Sequence, residues 1–384
     1  VLMDERVIVD PVRDESFLIP VDKELSASAI ALVEPWACVE SSYATEERKT
    51  VRPGGKLLVA ADSGRQIEGL ADSFAADGKP ASITLCGFGG TLPDSLNPPG
   101  IPITRAEDLQ ALADQDFDDI VYFGSDKNTI ERLDAKLAAQ GIINIVLGGN
   151  RIGQDVSVSI GRVHYGMTRW VGTPGSNAAD SYRRIPATGE IRENDAVLIA
   201  GAAGPMGQMH VIRLIRSGVK NLSITGTDLD DARLASLTHK ADAPAAENGV
   251  ALSLVNPQNR PVTESFSYYA IMAPVGGLIA EAVQKSRKNT LINIFAGIPA
   301  AVKQDIDLDT YIANECFMFG TSGSRLSDMK TVLKKVLSGR LDTNCSVDAV
   351  CGMAGAVDGI RAVENRALAG KIIVPCMAKK KIVL

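Results

Sequence analysis

Residues 196–214 read AVLIAGAAGPMGQMHVIRL. A short apolar run, Ala196 to Ala200, has the look of a buried strand. It is followed by glycines at Gly201, Gly204 and Gly207 and then by an apolar stretch through Met209, Val211, Ile212 and Leu214 that recurs at helical spacing. Glycines at such a strand-to-helix turn let the backbone approach a pyrophosphate closely. The free N–H groups and dipole at the helix start favour its negative charge. Asp228 follows 21 residues after Gly207, at the end of the next expected strand. A carboxylate there accepts hydrogen bonds from both ribose hydroxyls and repels a 2′-phosphate, which favours NAD over NADP. A second reading makes Asp228 the N-cap of a helix opening within DLDD.

Outward from this turn, short β-branched runs alternate with amphipathic stretches, the pattern of a parallel sheet with crossover helices. Expected strands are Lys56 to Ala60, Ser82 to Cys86, Asp119 to Phe123 and Ile142 to Leu147, then Ala196 to Ala200, Leu222 to Thr225, Tyr268 to Met272 and Leu291 to Phe295. The series occurs twice. FDDIVYFGSDKNTIERLDAKLAAQGIINIVLGG from Phe117 aligns with FSYYAIMAPVGGLIAEAVQKSRKNTLINIFAGI from Phe266, so that Ile143-Asn144-Ile145 falls on Ile292-Asn293-Ile294. Farther on, WVGTPGSNAADS from Trp170 aligns with FGTSGSRLSDM from Phe319, placing Gly172 on Gly320 and Asp180 on Asp328, one residue out of step with the first block. GGKLLVAADSG likewise pairs with NDAVLIAGAAG, placing Gly64 on Gly204.

The chain is therefore expected to be α/β, with two tandem Rossmann-like, doubly wound parallel-sheet units. The first is expected to be degenerate: it reads AADSG where the second reads GAAGPMG, Asp62 puts a negative charge where a pyrophosphate would sit, and its second strand runs into Cys86-Gly87-Phe88-Gly89-Gly90 with no acid. The expected boundaries are 1–50 for a remnant of a preceding region, 51–185 for the degenerate unit and 186–384 for the NAD-binding unit. The opening VLMDERVIVDPV, beginning at Val1, reads like the middle of a longer chain, so a fragment is expected.

With 384 residues, 45% of them hydrophobic and 22% charged, the chain has ample core and an ordinary globular composition. A net charge of −6 argues against nucleic acid as a partner, and the basic run Lys379-Lys380-Lys381 reads as a solvated tail. The six cysteines, Cys38, Cys86, Cys316, Cys345, Cys351 and Cys376, lack CxxC spacing, which fits a reduced, cytoplasmic setting. No apolar run approaches the roughly 20 residues that span a bilayer, so no membrane role is expected.

The residues resemble the medium-chain dehydrogenase/reductase superfamily, in its zinc-dependent alcohol and polyol (sorbitol-like) dehydrogenase branch. The likeness is carried by ALVEPWACVESSY at Ala31 to Tyr43, GAAGPMG, NIFAGIP at Asn293 to Pro299, FGTSGSRLSDM at Phe319 to Met329 and AGKIIV at Ala369 to Val374, in the family's order. The resemblance implies that Gly201, Ala202, Gly204, Pro205, Met206 and Gly207 hold the pyrophosphate and Asp228 the adenosine ribose. It places Ala296, Gly297, Ile298, Met318 and Phe319 along the nicotinamide, and Lys371 within reach of a phosphate. Glu34 stands where polyol-dehydrogenase relatives put a glutamate at or beside the catalytic zinc; its alternative is a helix-start carboxylate before Pro35 at N1. Cys38 reads as a small buried core residue.

In that family zinc lowers the pKa of a bound alcohol, and the alkoxide gives hydride to the nicotinamide. Three protein ligands and an open position are needed. The GroES-like domain that would supply a Cys and a His-Glu pair is missing here, so zinc is expected only with ligands from outside this sequence. The histidines are His164, His210 and His239, none followed by Glu; His164 reads as a strand residue and His210 as lying at the start of the glycine-loop helix, both structural. The leading expectation is an NAD-dependent oxidoreductase acting on the CH–OH group of an alcohol, polyol or sugar alcohol, as a homo-oligomer by family analogy. The alternative is a catalytically incomplete nucleotide-binding or assembly module. A short-chain dehydrogenase would need a Tyr with Lys four residues on, which none of the seven tyrosines has. A zinc-free quinone-reductase-like enzyme shares the GAAG turn, but Asp228 and EPWAC weigh against it.

Overall fold

The computed structural model describes residues 19–21, 25–88 and 98–375. The VLMDERVIVDPV opening, Gly89, Gly90, Cys376 and the Lys379–Lys381 run lie outside the described residues. In chain order the strands and helices are α1 (Ala27–Ala31), α2 (Val33–Tyr43), β1 (Lys56–Ala61), β2 (Ser82–Cys86), β3 (Ile103–Ala106), β4 (Phe117–Phe123), α3 (Lys127–Lys136), β5 (Leu137–Val146), β6 (Val156–Val158), α4 (Ile160–Tyr165), β7 (Arg169–Thr173) and α5 (Ala178–Arg184). They continue with β8 (Ala196–Ala200), α6 (Pro205–Ile215), β9 (Ser223–Thr227), α7 (Asp231–Glu247), β10 (Ala251–Val255), β11 (Phe266–Ile271), α8 (Gly276–Gln284), β12 (Ser286–Ile294), β13 (Gln304–Ile306), α9 (Leu308–Ala313), β14 (Phe317–Phe319), α10 (Leu326–Leu337), β15 (Val347–Val350), α11 (Ala356–Glu364) and β16 (Lys371–Ile373).

Two six-stranded parallel sheets carry the fold. The first has the order β3-β2-β1-β4-β5-β7, which is the doubly wound 3-2-1-4-5-6 arrangement. The second repeats it in two runs: β10-β9-β8 corresponds to β3-β2-β1, and β11-β12-β14 to β4-β5-β7. The eight expected strands are all present. A strand covered on both faces reads as a nearly continuous apolar run, and Ile120, Val121, Tyr122 and Phe123 of β4 are accordingly at most 1% exposed. The repeated Ile-Asn-Ile puts one fully buried amide into each sheet. Asn144 donates to Ala178 O at 2.9 Å and accepts from Ser181 Oγ at 2.7 Å, which ties β5 to α5. Asn293 donates to Tyr268 Oη at 3.3 Å.

One expectation needs correction. His164 lies in helix α4, not in a strand. The β-branched alternation stops at Val158, and the helix that follows is closed by Gly166, whose N–H reaches Arg162 O at 2.8 Å.

The described chain divides into two compact units: one of Ala44–Ile191 with Thr263–Ser322, the other of the residues up to Tyr43, Arg192–Val262 and those from Gly323 on. The first of these is pinned at Asp119, a fully buried carboxylate on β4. Arg48 pairs with it at 2.9 Å, and it also accepts from Arg52 N at 2.8 Å and Tyr182 Oη at 3.0 Å. Burial pushes its carboxyl up in pKa, and Arg48 opposes the push. In the other unit α2 packs on α6 through fully buried Trp36 and Tyr43. Tyr43 Oη lies 2.8 Å from His210 Nδ1, and the Arg213 guanidinium sits 4.0 Å over the Tyr43 ring. Glu40, 6% exposed, joins Arg213 at 3.2 Å and Lys335 of α10.

Two outcomes follow from these anchors. Arg48→Ala leaves Asp119 buried with only its neutral donors, and a loss of about 3 kcal/mol is expected in urea unfolding, near the lower end of what breaking a buried pair costs. His210 is held neutral, with burial first and Arg213 second pulling its pKa down to about 3. Its folded pKa lies below the unfolded value near 6.5, so its contribution to stability is complete above that value and falls away as the pH drops toward 3. Stability should decline by up to ~1.4 kcal/mol per pH unit below about pH 6.5. A flatter melting-temperature profile in His210→Gln, measured between pH 7 and 4.5, checks the assignment.

Candidate functional site

The glycine turn after β8 is built by backbone. Gly201 adopts φ +86°, a left-handed conformation that side chains disfavour, and the N–H groups of Gly201 and Ala202 both donate to Thr227 O at 2.8 and 2.9 Å. The chain then doubles back so tightly that a Cβ on Gly207 would lie 2.1 Å from Gly201 O. Glycine at 207 is thus a steric requirement of the turn. Pro205 occupies the first turn of α6, where its missing N–H costs nothing, and the N-cap Gly204 brings no side-chain hydrogen bond. The first N–H groups of this 11-residue helix are therefore left without a side-chain cap. Gln208 Nε2 fastens the turn by donating to Ala203 O at 3.0 Å, and Lys240 Nζ holds Gln208 Oε1 at 3.0 Å while also pairing with Asp348.

Asp228 stands one residue past the end of β9, and its Oδ2 accepts from Ala203 N in the turn at 3.2 Å. Its Oδ1 accepts from Asp230 N at 3.2 Å. The N-cap of α7 is Asp230, whose side chain accepts from Arg233 N, so the capping alternative for Asp228 does not hold. An ionised carboxylate has about four lone-pair sites. Two backbone donors leave Asp228 with capacity for hydroxyl donors.

Glu34 lies in the first turn of α2, with Pro35 as the third helical residue and not at N1. It accepts from Cys38 Sγ at 3.1 Å and from Ser324 Oγ at 3.4 Å. Cys38 is half-buried, not a core residue; burial, reinforced by Glu34, pushes its thiol up to about 11. Lys371, at the start of β16, is lowered in pKa by burial against the raising effects of Glu34 and Cys38. The structure thus places Lys371 in the electrostatic field of Glu34. The sequence assigns no role to Ser324, and it reads Cys38 as core although the Glu34-to-Cys38 spacing of four residues is legible as one helix face. Among the described residues no group of three or more His, Cys, Asp or Glu side chains is gathered as a metal site.

In the other unit, Ala296, Gly297 and Ile298 form the loop after β12. Ala296 N donates to Ile271 O at 2.9 Å, and Ile298 N turns back to Ala296 O at 2.8 Å. Met318 and Phe319 belong to β14 and are fully buried; Phe319 packs edge-on to Tyr268, and Met318 N donates to Tyr311 Oη at 2.9 Å. Their side chains are core, so what they offer a ligand is backbone.

The corresponding turn of the first copy is filled by its own side chains. Asp62 accepts from Tyr122 Oη and from Ser125 N at 2.9 Å. Arg65 lies 3.9 Å from Asp62 and donates to Leu147 O and Ser125 Oγ. A carboxylate and its partners fill this turn, whereas the helix start after β8 carries no side-chain cap.

No family model matches the chain. Among curated proteins, mannitol-1-phosphate 5-dehydrogenase of Aliivibrio fischeri (strain ATCC 700601 / ES114) is 26% identical over 231 residues, covering 52% of this chain and 54% of that protein. The uncharacterized protein YggP of Escherichia coli (strain K12) is 27% identical over 206 residues, covering 45% and 48%. Among solved structures, an alcohol dehydrogenase (rspB) from E. coli CFT073 complexed with NADH has 22% identity and a TM-score of 0.37, covering 45% of this chain and 49% of that one. The chain spans about half the length of the curated relatives it matches.

Proposed function

We propose that the second copy binds NAD(H) and that the chain is part of a dehydrogenase acting on a CH–OH group of an alcohol or polyol. The observation that carries this reading is the pairing of Asp228 with the glycine turn: the carboxylate is held by Ala203 N, one residue from Gly204, while Gly207 keeps the turn pressed onto the start of α6. The adenosine ribose and the pyrophosphate of a dinucleotide are neighbouring groups of opposite demand, two hydroxyl donors beside two anions. A carboxylate next to uncapped helix N–H groups meets both demands. NADP would bring its 2′-phosphate against Asp228.

In this reading Gly201, Ala202, Gly204, Pro205, Met206 and Gly207 seat the pyrophosphate, Asp228 orients the ribose, and the backbone at Ala296, Gly297, Ile298, Met318 and Phe319 faces the nicotinamide. Bound NAD supplies the hydride acceptor. The name of the A. fischeri relative supports CH–OH chemistry and a polyol phosphate among the substrates worth testing. Glu34 would be one donor toward a zinc ion whose other ligands come from elsewhere; no step is assigned to that metal. The proposed boundaries remain 51–185 and 186–384 for the two copies, and Asp62 with its partners favours an assembly role for the first.

Titration of the chain with NADH and NADPH, followed by fluorescence, tests the reading. NADH is expected to bind at one site, more tightly than NADPH. Asp228→Ala should weaken NADH by about 1.5–3 kcal/mol, the usual worth of hydrogen bonds to a charged group, and narrow the preference. Gly207→Asp should abolish binding, and tight NADH binding by a folded Gly207→Asp protein would sink the assignment.

A further inference from the structure

The only antiparallel strand pair among the described residues joins the two copies of the repeat, and its register is self-complementary. Val156, Ser157 and Val158 of β6 pair with Ile306, Asp305 and Gln304 of β13. Carried forward by the 148-residue offset that places Gly172 on Gly320, the β6 residues become Gln304, Asp305 and Ile306. Val156 thus pairs with the counterpart of Val158, Val158 pairs with the counterpart of Val156, and Ser157 pairs with its own counterpart. This is the defining property of an isologous, two-fold contact.

The flanking contacts obey the same relation. The second residue of α4, Gly161, lies against the loop of the second copy, its N–H donating to Val302 O at 3.2 Å and its position leaving no room for a Cβ, which would stand 2.0 Å from Pro299 O. The second residue of α9, Asp309, is the counterpart of Gly161, and it lies against the matching loop of the first copy, accepting from Ile152 N at 2.9 Å and Gly153 N at 2.8 Å. Gly172 is closed by Ile312, and its counterpart Gly320 by His164, the counterpart of Ile312. Three independent sets of contacts in one orientation are more than a chance packing of two similar sheets supplies.

We propose that the first copy serves the second as a built-in second subunit: β6, β13, α4 and α9 form an isologous joint about a local two-fold axis through Ser157 and Asp305, and through this joint α4 positions the loop after β12. Two contacts carry the second half. His164 Nδ1 lies 3.0 Å from Ile294 O at the end of β12, and Tyr165 Oη lies 2.9 Å from where a Cβ on Gly297 would be. Gly161, His164 and Tyr165 are positioning residues, acting on a ligand only through Ile294 to Pro299. This part rests on the nicotinamide reading of that loop; the joint itself does not.

The joint is tested by Ser157→Cys with Asp305→Cys in the full chain. Ser157 N donates to Glu131 Oε1 at 2.9 Å and not across the strand pair, which makes this the closer, non-hydrogen-bonded kind of facing pair. Under mild oxidation, with the wild-type chain as control, an intrachain disulfide at monomer mass is expected; a disulfide-linked dimer or no added bond would overturn the joint. The positioning role is tested by Gly161→Ala and Tyr165→Ala, with affinities for NADH and ADP-ribose measured side by side on protein whose melting temperature is recorded. ADP-ribose needs only the glycine turn and Asp228. The expected result is a loss of about tenfold for NADH, the scale of one or two lost contacts, with ADP-ribose unchanged. Equal loss of both, or loss of neither, overturns the positioning role. If the wild-type chain binds neither ligand, the cofactor reading falls and takes the positioning role with it, while the crosslink still decides the joint.

Discussion

Parallel strands have to be joined by crossovers that return over the sheet, and this constraint organises the whole chain. It covers both faces of the sheet with helices, which is why Leu57 to Ala60 of β1 and Ile120 to Phe123 of β4 are apolar without interruption. It also sends every strand-to-helix turn to the same edge, where the strands end and the helices start. In the unit that contains β8 and β9, two such turns meet: Gly201 to Gly207 after β8 and Asp228 after β9, joined by Ala203 N and the Asp228 carboxylate. Side-chain identity matters less there than how closely the backbone can approach itself. Gly207 illustrates the point, since a single methyl at that residue would collide with Gly201 O.

The two six-stranded sheets share one strand order, and their first strand-to-helix turns are built differently. At the turn after β1 side chains fill the space: the Asp62 carboxylate accepts from Ser125 N, and Arg65 donates to Leu147 O. At the equivalent turn after β8 the second copy keeps its helix start free of side-chain caps and uses Gln208 and Lys240 to fasten the turn from behind.

Electrostatics inside each unit follow burial. The Asp119 and Glu40 carboxylates are tolerated because Arg48 in the one case and Arg213 and Lys335 in the other reach them, with Arg52 N and Tyr182 Oη completing the shell of Asp119. His210 is accommodated the other way, by staying neutral against Tyr43 Oη.

The sequence alone determined the fold class, eight of the twelve strands in the two six-stranded sheets and the turn around Gly204, because apolar strands and glycine turns are local patterns whose physics is spelled out within twenty or thirty consecutive residues, whereas the edge strands β3, β7, β10 and β14 were not expected. It also pointed to Asp228, although only the position of α7 decided that Asp230, and not Asp228, caps the helix. Local pattern misjudged His164, since a β-branched alternation says where a strand runs and little about where a following short helix begins. Tertiary structure alone decided that Met318 and Phe319 turn their side chains into the core, that Ser324 reaches Glu34, and that β6 meets β13 in a symmetric register. The last two pairings span about 150 to 290 residues. Contacts over such distances are set by how whole sheets pack, for which no stretch of sequence carries a local signal.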